Sequence, residues 1–135
     1  MKSFAARSAF ALLIAMMLPH AQAADAPPAT VTPLLTRALP DVAGKEGLML
    51  TVEYAPGGAS PSHRHHADTF VYVLEGSVVM QVAGGEEKTL KAGDTFYEAP
   101  TDIHSVSRNA SRTQPAKILV FFVKAVGAPV SEPVQ

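Results

Sequence analysis

The chain has 135 residues, 47% of them apolar, a formal net charge of −1 and no cysteine. That length holds one compact domain, and basic residues scattered singly along it offer no patch for nucleic acid. Without thiols there are neither disulfides nor Cys-ligated metals, so any metal must sit on His and carboxylate groups.

In chain order, residues 1–23 read as a secretory signal peptide. Lys2 and Arg7 form a positive n-region, Ala9 to Leu18 a short apolar run stopped by Pro19, and Ala21-Gln22-Ala23 a small-x-small site cut after Ala23. The run is too short for a comfortable membrane span. This predicts export to a periplasm or beyond, and a mature protein free of the membrane.

Residues 24–47 read as an N-terminal leader with one short element. Asp25 to Pro33, rich in Ala and Pro, needs no order. Leu34 to Leu39 fits a short strand or a turn of helix, and Pro40, Gly44 and Gly47 break the chain after it.

A β-barrel is expected over residues 48–124. Leu48 to Tyr54 alternates as a strand, and Pro56-Gly57-Gly58 closes it. The loop through Ser62 then delivers three histidines, His63, His65 and His66, to the apolar strand Phe70 to Leu74. Ser77 to Val82 and Lys88 to Leu90 form a hairpin around Gly84-Gly85, and Ala92-Gly93-Asp94 turns the chain again. Thr95 to Glu98 and Ile103 to Val106 are further strands, and Asn109 to Thr113 is a polar loop. Lys117 to Lys124 is a strongly apolar strand expected in the core between sheets. Residues 125–135, with their prolines, read as a tail. Short strands at such regular spacing mean an all-β fold, and closure into a single jelly-roll β-barrel leaves few free edges.

The histidines carry the chemistry. On an extended chain, residues two apart share a face about 6.5–7 Å apart, so His63 and His65 can grip one ion as a pincer. The same parity puts Thr69, Val71 and Val73 on the histidine face and sends Arg64, His66 and Asp68 to the other. His66 is thus the weaker ligand, Asp68 a solvated aspartate, and Arg64 a surface or interface residue. His104 is the candidate third ligand. Glu98 shares parity with Phe96; an inward Glu98 would be a fourth ligand or a general base, an outward one a strand-end glutamate in water. Phe70, Phe96, Phe121, Phe122, Tyr72 and Tyr97 fit pocket lining or core, and for most of them core is the expectation.

These residues resemble the two motifs of the cupin family. Gly57, His63, His65 and Gly76 match the first, and Gly93 and His104 match the second. Ala99, Thr101 and Arg108 stand where the second motif has Pro, Gly and Asn, and Thr69 stands where the first has its glutamate. The resemblance implies a cupin barrel whose His63, His65 and His104 hold one divalent transition metal: Fe, Mn, Ni, Cu or Zn. It also implies a small organic substrate or ligand in the barrel mouth, and a homodimer paired through edge strands, with Val71 to Leu74 and Lys117 to Val123 as the apolar runs. Three activities follow from it: oxygenase chemistry on an enol-like or aromatic molecule, isomerisation with the metal as Lewis acid, or binding of metal or ligand without catalysis.

Overall fold

The computed structural model describes residues 25–134; the signal-peptide reading of residues 1–23 lies outside them. All regular elements among these residues are strands. They are β1 (Thr30–Ala38), β2 (Lys45–Tyr54), β3 (Ala59–Ser60), β4 (His63–Arg64), β5 (Asp68–Glu75) and β6 (Ser77–Val82). After these come β7 (Lys88–Lys91), β8 (Thr95–Glu98), β9 (His104–Asn109), β10 (Ala116–Ala125) and β11 (Glu132–Pro133).

Two antiparallel sheets face each other. One runs β1-β2-β10-β5-β8, the other β11-β4-β9-β6-β7, with β3 also paired to β9. This is the expected all-β jelly roll. Period-two alternation supplies its core: Leu48, Leu50 and Tyr54 of β2, Val71 and Val73 of β5, Val78 and Met80 of β6, and Ile118, Val120 and Phe122 of β10 all point between the sheets. Fully burying a side chain of this size contributes about 1.5–3 kcal/mol, so this layer carries most of the hydrophobic stabilisation.

Three expectations need correction. β10 is not sandwiched between the sheets; it is a central strand of one sheet, paired with β2 and β5 on its two sides. Only its even-numbered residues are buried, because one face meets the core and the other faces outward. The N-terminal strand begins at Thr30, within the stretch read as a leader, and pairs along β2 from Thr30↔Glu53 to Ala38↔Glu46. Pro33 is tolerated there because β1 is an edge strand with a register shift at that point.

The third correction concerns the aromatic residues. Phe122 is core and Phe96 packs partly against it, but Phe70, Tyr72 and Tyr97 stand on the outer face of the sheet, each 45–48% exposed. Phe70 meets Tyr97 and Phe121 there at ring-centroid distances of 5.3 and 6.3 Å. The two apolar runs read as compatible with edge pairing lie on interior strands β5 and β10, whose ladders are already filled. What they offer a neighbour is this outward face.

Gly76 marks the tightest turn. Its φ is +69°, and a Cβ there would run into the Pro115 carbonyl, so the motif position accepts only glycine.

Candidate metal centre

β4 and β9 are paired in a register that sets His63 opposite His104, and the odd-numbered parity of the loop brings His65 to the same side. One ring nitrogen from each of the three lies within 4.8 Å of the others. The run is not an unbroken strand. The chain bends after β4, and His66 takes a left-handed φ of +49° before β5 starts at Asp68. The facing pattern survives the bend: Thr69, Val71 and Val73 are buried, and His66 is exposed.

Backbone carbonyls fix the ring orientations of the pincer. His63 Nδ1 lies 2.8 Å from the Pro61 carbonyl oxygen and His65 Nδ1 2.7 Å from that of Val130. A carbonyl can only accept, so both Nδ1 atoms carry the proton and both Nε2 atoms are bare when the rings are neutral. Those two Nε2 atoms are 3.0 Å apart. Two lone pairs at that distance repel unless a cation sits between them. Burial lowers the pKa of His63 and of His65, which disfavours a proton in that role. A metal ion fits it: nitrogens about 2.1 Å from one ion and 90° apart are about 3.0 Å from each other.

His104 supplies the independent test. It is 4% exposed, and neither ring nitrogen makes a hydrogen bond within the described residues. Glu98 Oε1 approaches its Nδ1 at 3.2 Å without hydrogen-bond alignment, and Glu98 Oε2 lies 3.8 Å from His65 Nε2. An orphaned buried imidazole beside two bare Nε2 atoms is the donor set a divalent ion requires. Glu98 is therefore inward and buried, 3% exposed, against the histidine cluster.

Thr69 makes the placement of Glu98 informative. Its hydroxyl turns back to the Ala67 carbonyl and offers nothing to the histidines. In the β5–β8 register, however, Thr69 sits directly opposite Glu98. Cross-strand partners have Cβ atoms about 4.5–5.5 Å apart, so the carboxylate that the first motif lacks enters the same region from the neighbouring strand.

The second motif departs for a comparable reason. β9 carries a bulge: Val82 pairs with His104 but Gln81 pairs with Val106, leaving Ser105 as the extra residue. The insertion shifts the motif's Asn by one position, from exposed Arg108 to buried Asn109. Asn109 Nδ2 donates to the carbonyls of Tyr54, Ala55 and Gln114, and its Oδ1 accepts from Ser111 N–H. It is the buried end of β9, not part of a solvated loop.

Nothing in the residue pattern of the C-terminal segment signals its role. β11 pairs with β4, Val134 N–H donates to the Ser62 carbonyl, and Glu132 lies 3.0 Å from His66. Together with the Val130 bond to His65, this straps the tail across the histidine loop. Deleting residues 129–135 is expected to weaken zinc binding by about 10- to 100-fold, the usual effect of losing a partner that orients a ligand. Melting of the metal-free protein should change little, because the Ala128 carbonyl that accepts from buried Lys124 is kept and Val130 is the deleted segment's one packing contribution to the core among the described residues. Chelator competition on the truncated chain measures the first effect, and an unchanged zinc affinity would refute it.

A cavity of about 220 Å³ lies between the sheets, lined at one end by His63, His65, His104 and Glu98 and along its walls by apolar side chains such as Leu50 and Val120. Its exposed lining residues Val31, Pro61 and Pro133 mark the opening.

The pKa directions also predict a pH response. The unfolded chain takes up protons near the ordinary histidine value of 6.5, while buried His63 and His65 take them up only at lower pH. Stability present above that value is therefore lost as pH falls below it. Melting temperature of chelator-treated protein should hold steady above about pH 7 and decline towards pH 5. A profile flat through that window would contradict the burial of these rings.

Fold and site together define a jelly-roll barrel with three histidines converging on an internal cavity. The cupin domain family matches residues 50–122, and the chain belongs to that family. Oryzines biosynthesis cluster protein J of Aspergillus oryzae is 35% identical over 74 residues, which is 55% of this chain and 40% of that protein. This chain thus spans well under half of that curated relative. A double-stranded β-helix protein of Klebsiella pneumoniae superposes with a TM-score of 0.62 at 20% identity, covering 84% of this chain and 90% of its own, a likeness of fold alone. Oxalate oxidase in complex with the substrate analogue glycolate superposes with a TM-score of 0.56 at 26% identity, covering 73% of this chain and 55% of its own.

Proposed function

We propose that this protein is an exported cupin that holds one divalent transition metal on His63, His65 and His104, with Glu98 as the adjoining carboxylate, and acts on a small organic molecule in the barrel cavity. The observation that carries this reading is the pair of bare Nε2 atoms 3.0 Å apart beside the orphaned imidazole of His104. The metal, when bound, supplies Lewis-acid polarisation of a substrate oxygen or, with a redox-active ion, dioxygen chemistry. The chain's own residues do the rest. Val130 and Pro61 hold the pincer rings in the ligating tautomer, apolar walls exclude water, and Glu98 serves as fourth ligand or as the base that takes a proton from the substrate. The likeness to oxalate oxidase supports chemistry on a small oxygen-bearing substrate. Export rests on the leader sequence of residues 1–23, and a homodimer rests on the exposed aromatic face of Phe70, Tyr72 and Tyr97.

The test begins with elemental analysis of mature protein purified without chelator or histidine tag, and near-unit metal per chain is expected. Glu98→Gln should then weaken metal binding by about 10- to 100-fold. The double exchange Thr69→Glu with Glu98→Thr should recover much of the loss by returning the carboxylate to the motif position. If the exchange recovers nothing, the two strand partners do not serve one site.

One observation favours binding without catalysis. Thr69 leaves the first motif with no carboxylate of its own, so the metal rests on a neutral histidine set wherever Glu98 acts as a base. Oxygen uptake and product analysis on the metal-loaded protein with enols and catechols separate the two readings.

A further inference from the structure

The cavity has a second polar pole that the proposed metal chemistry does not use. Tyr54, Ser60 and Ser107 line the same cavity as the histidines. Their place follows from register: β4 pairs His63 with His104, and β3 pairs Ser60 with Ser107 further along β9. Across the bulge, His104 and Ser107 face Val82 and Met80 of β6, so the two polar groups are separate layers of one wall, two strand steps or about 7 Å apart. Tyr54 closes the second layer from the opposite sheet, at the end of β2. Its hydroxyl lies 2.6 Å from Ser107 Oγ and 3.2 Å from Ser60 Oγ.

A donor count shows that this cluster is not self-sufficient. Three hydroxyls carry three protons, and the contacts of Tyr54 with the two serines use two of them. One O–H donor is left, in a wall of the cavity, with no acceptor among the described residues. Ser107 is 4% and Tyr54 2% exposed, Ser60 is half-buried, and all three line the cavity, so whichever hydroxyl holds the spare donor stands in the cavity wall. Burial also raises the Tyr54 pKa and keeps its hydroxyl protonated.

Charge narrows the acceptor. Among the described residues, no Lys or Arg lines the cavity and its one carboxylate is Glu98 at the metal end. An anionic group at the hydroxyl layer would be buried without a counter-charge, which is far costlier than burying a neutral oxygen that accepts the spare hydrogen bond. Between the poles the wall is apolar, with Leu50, Val71 and Val120.

We infer that the cavity takes a short-chain monoanionic oxo or hydroxy acid. Its acid group meets the metal end, its carbon chain lies along the apolar wall, and its neutral carbonyl or hydroxyl oxygen accepts a hydrogen bond from the Tyr54–Ser60–Ser107 cluster. This assignment rests on the metal-site reading for the acid end alone; the hydroxyl pole stands independently of it. It also separates this protein from one built for dicarboxylates, because the second carboxylate would have no cation.

The experiment is calorimetric titration of the mature full chain with 5-oxohexanoate, hexanoate and glutarate, in zinc-loaded and metal-free forms. Wild type should bind 5-oxohexanoate about 3- to 10-fold more tightly than hexanoate, the worth of one neutral hydrogen bond, and glutarate more weakly than either. That ratio should persist in the metal-free form while all affinities drop. In the triple variant Tyr54→Phe, Ser60→Ala, Ser107→Ala the preference should vanish with hexanoate binding and zinc content unchanged. Removing all three hydroxyls together leaves no unpaired donor, so the variant is expected to fold. A ratio near one in wild type, a preference retained by the triple variant, or tighter binding of glutarate would overturn the inference. Failure to take up zinc, with the ratio intact in the metal-free form, would overturn the metal-site reading instead and leave the hydroxyl pole standing.

Discussion

His104→Ala is expected to abolish stoichiometric metal binding, whereas His66→Ala keeps it. His104 is buried, its two nitrogens have no hydrogen-bond partner among the described residues, and it faces His63 across the β4–β9 pair. Removing it leaves a two-histidine pincer on a short loop, and affinity should fall by more than the roughly 100-fold that marks the upper effect of an orienting partner. His66 directly follows His65, yet it turns outward in a left-handed conformation and meets Glu132 at the surface, both side chains about half exposed. An exposed pair of that kind contributes at most about 1 kcal/mol. Metal content by elemental analysis of the two purified variants is the readout, and equal loss in both would overturn the parity argument that separates His66 from the ligands.

Phe122→Ala is expected to be the most destabilising single core change. Phe122 is 2% exposed, the largest fully buried side chain, and lies between Leu48 of β2 and Thr69 of β5 in the ladder register. Its ring also packs on His65 at a centroid distance of 4.8 Å. Truncating a buried Phe costs about 3–5 kcal/mol, a large part of the 5–15 kcal/mol typical of a whole domain. Melting temperature should fall by roughly 15 °C or more. Because the His65 ring loses its packing wall, metal affinity should weaken too, although no ligand is removed. Phe70→Ala, on the exposed outer face, is the control, and a comparable loss of stability there would contradict the assigned core.

Much of the site was legible because strand parity is a local property. Two histidines two residues apart share a face whatever the remainder of the chain does, and that face is the one Thr69, Val71 and Val73 bury. Parity with Phe96 likewise left Glu98 able to turn inward, but packing had to choose between the cavity and water. Aromatic residues misled for the opposite reason, because composition was weighed above an alternation that was itself local. Composition marks Phe70 and Tyr97 as core, yet alternation along β5 and β8 puts them outside, with Asp68 accepting a hydrogen bond from the Tyr97 hydroxyl at 2.7 Å. The Asn of the second motif was one position off, because a bulge at Ser105 is set by pairing with β6 and leaves no mark in the spacing of a single chain.

The sequence by itself determined an all-β barrel, the inward pair His63 and His65, the third histidine at His104 and the absence of thiolate chemistry. Alternation, turn residues and composition act within a few residues, so they can be read along the chain. Tertiary structure alone decided that Glu98 stands opposite Thr69, that Val130 fixes the tautomer of His65, and that Tyr54, Ser60 and Ser107 form one cluster. Each of these joins segments far apart in the chain. Their meeting depends on ladder register and on how two sheets close over a common core, which no local pattern encodes.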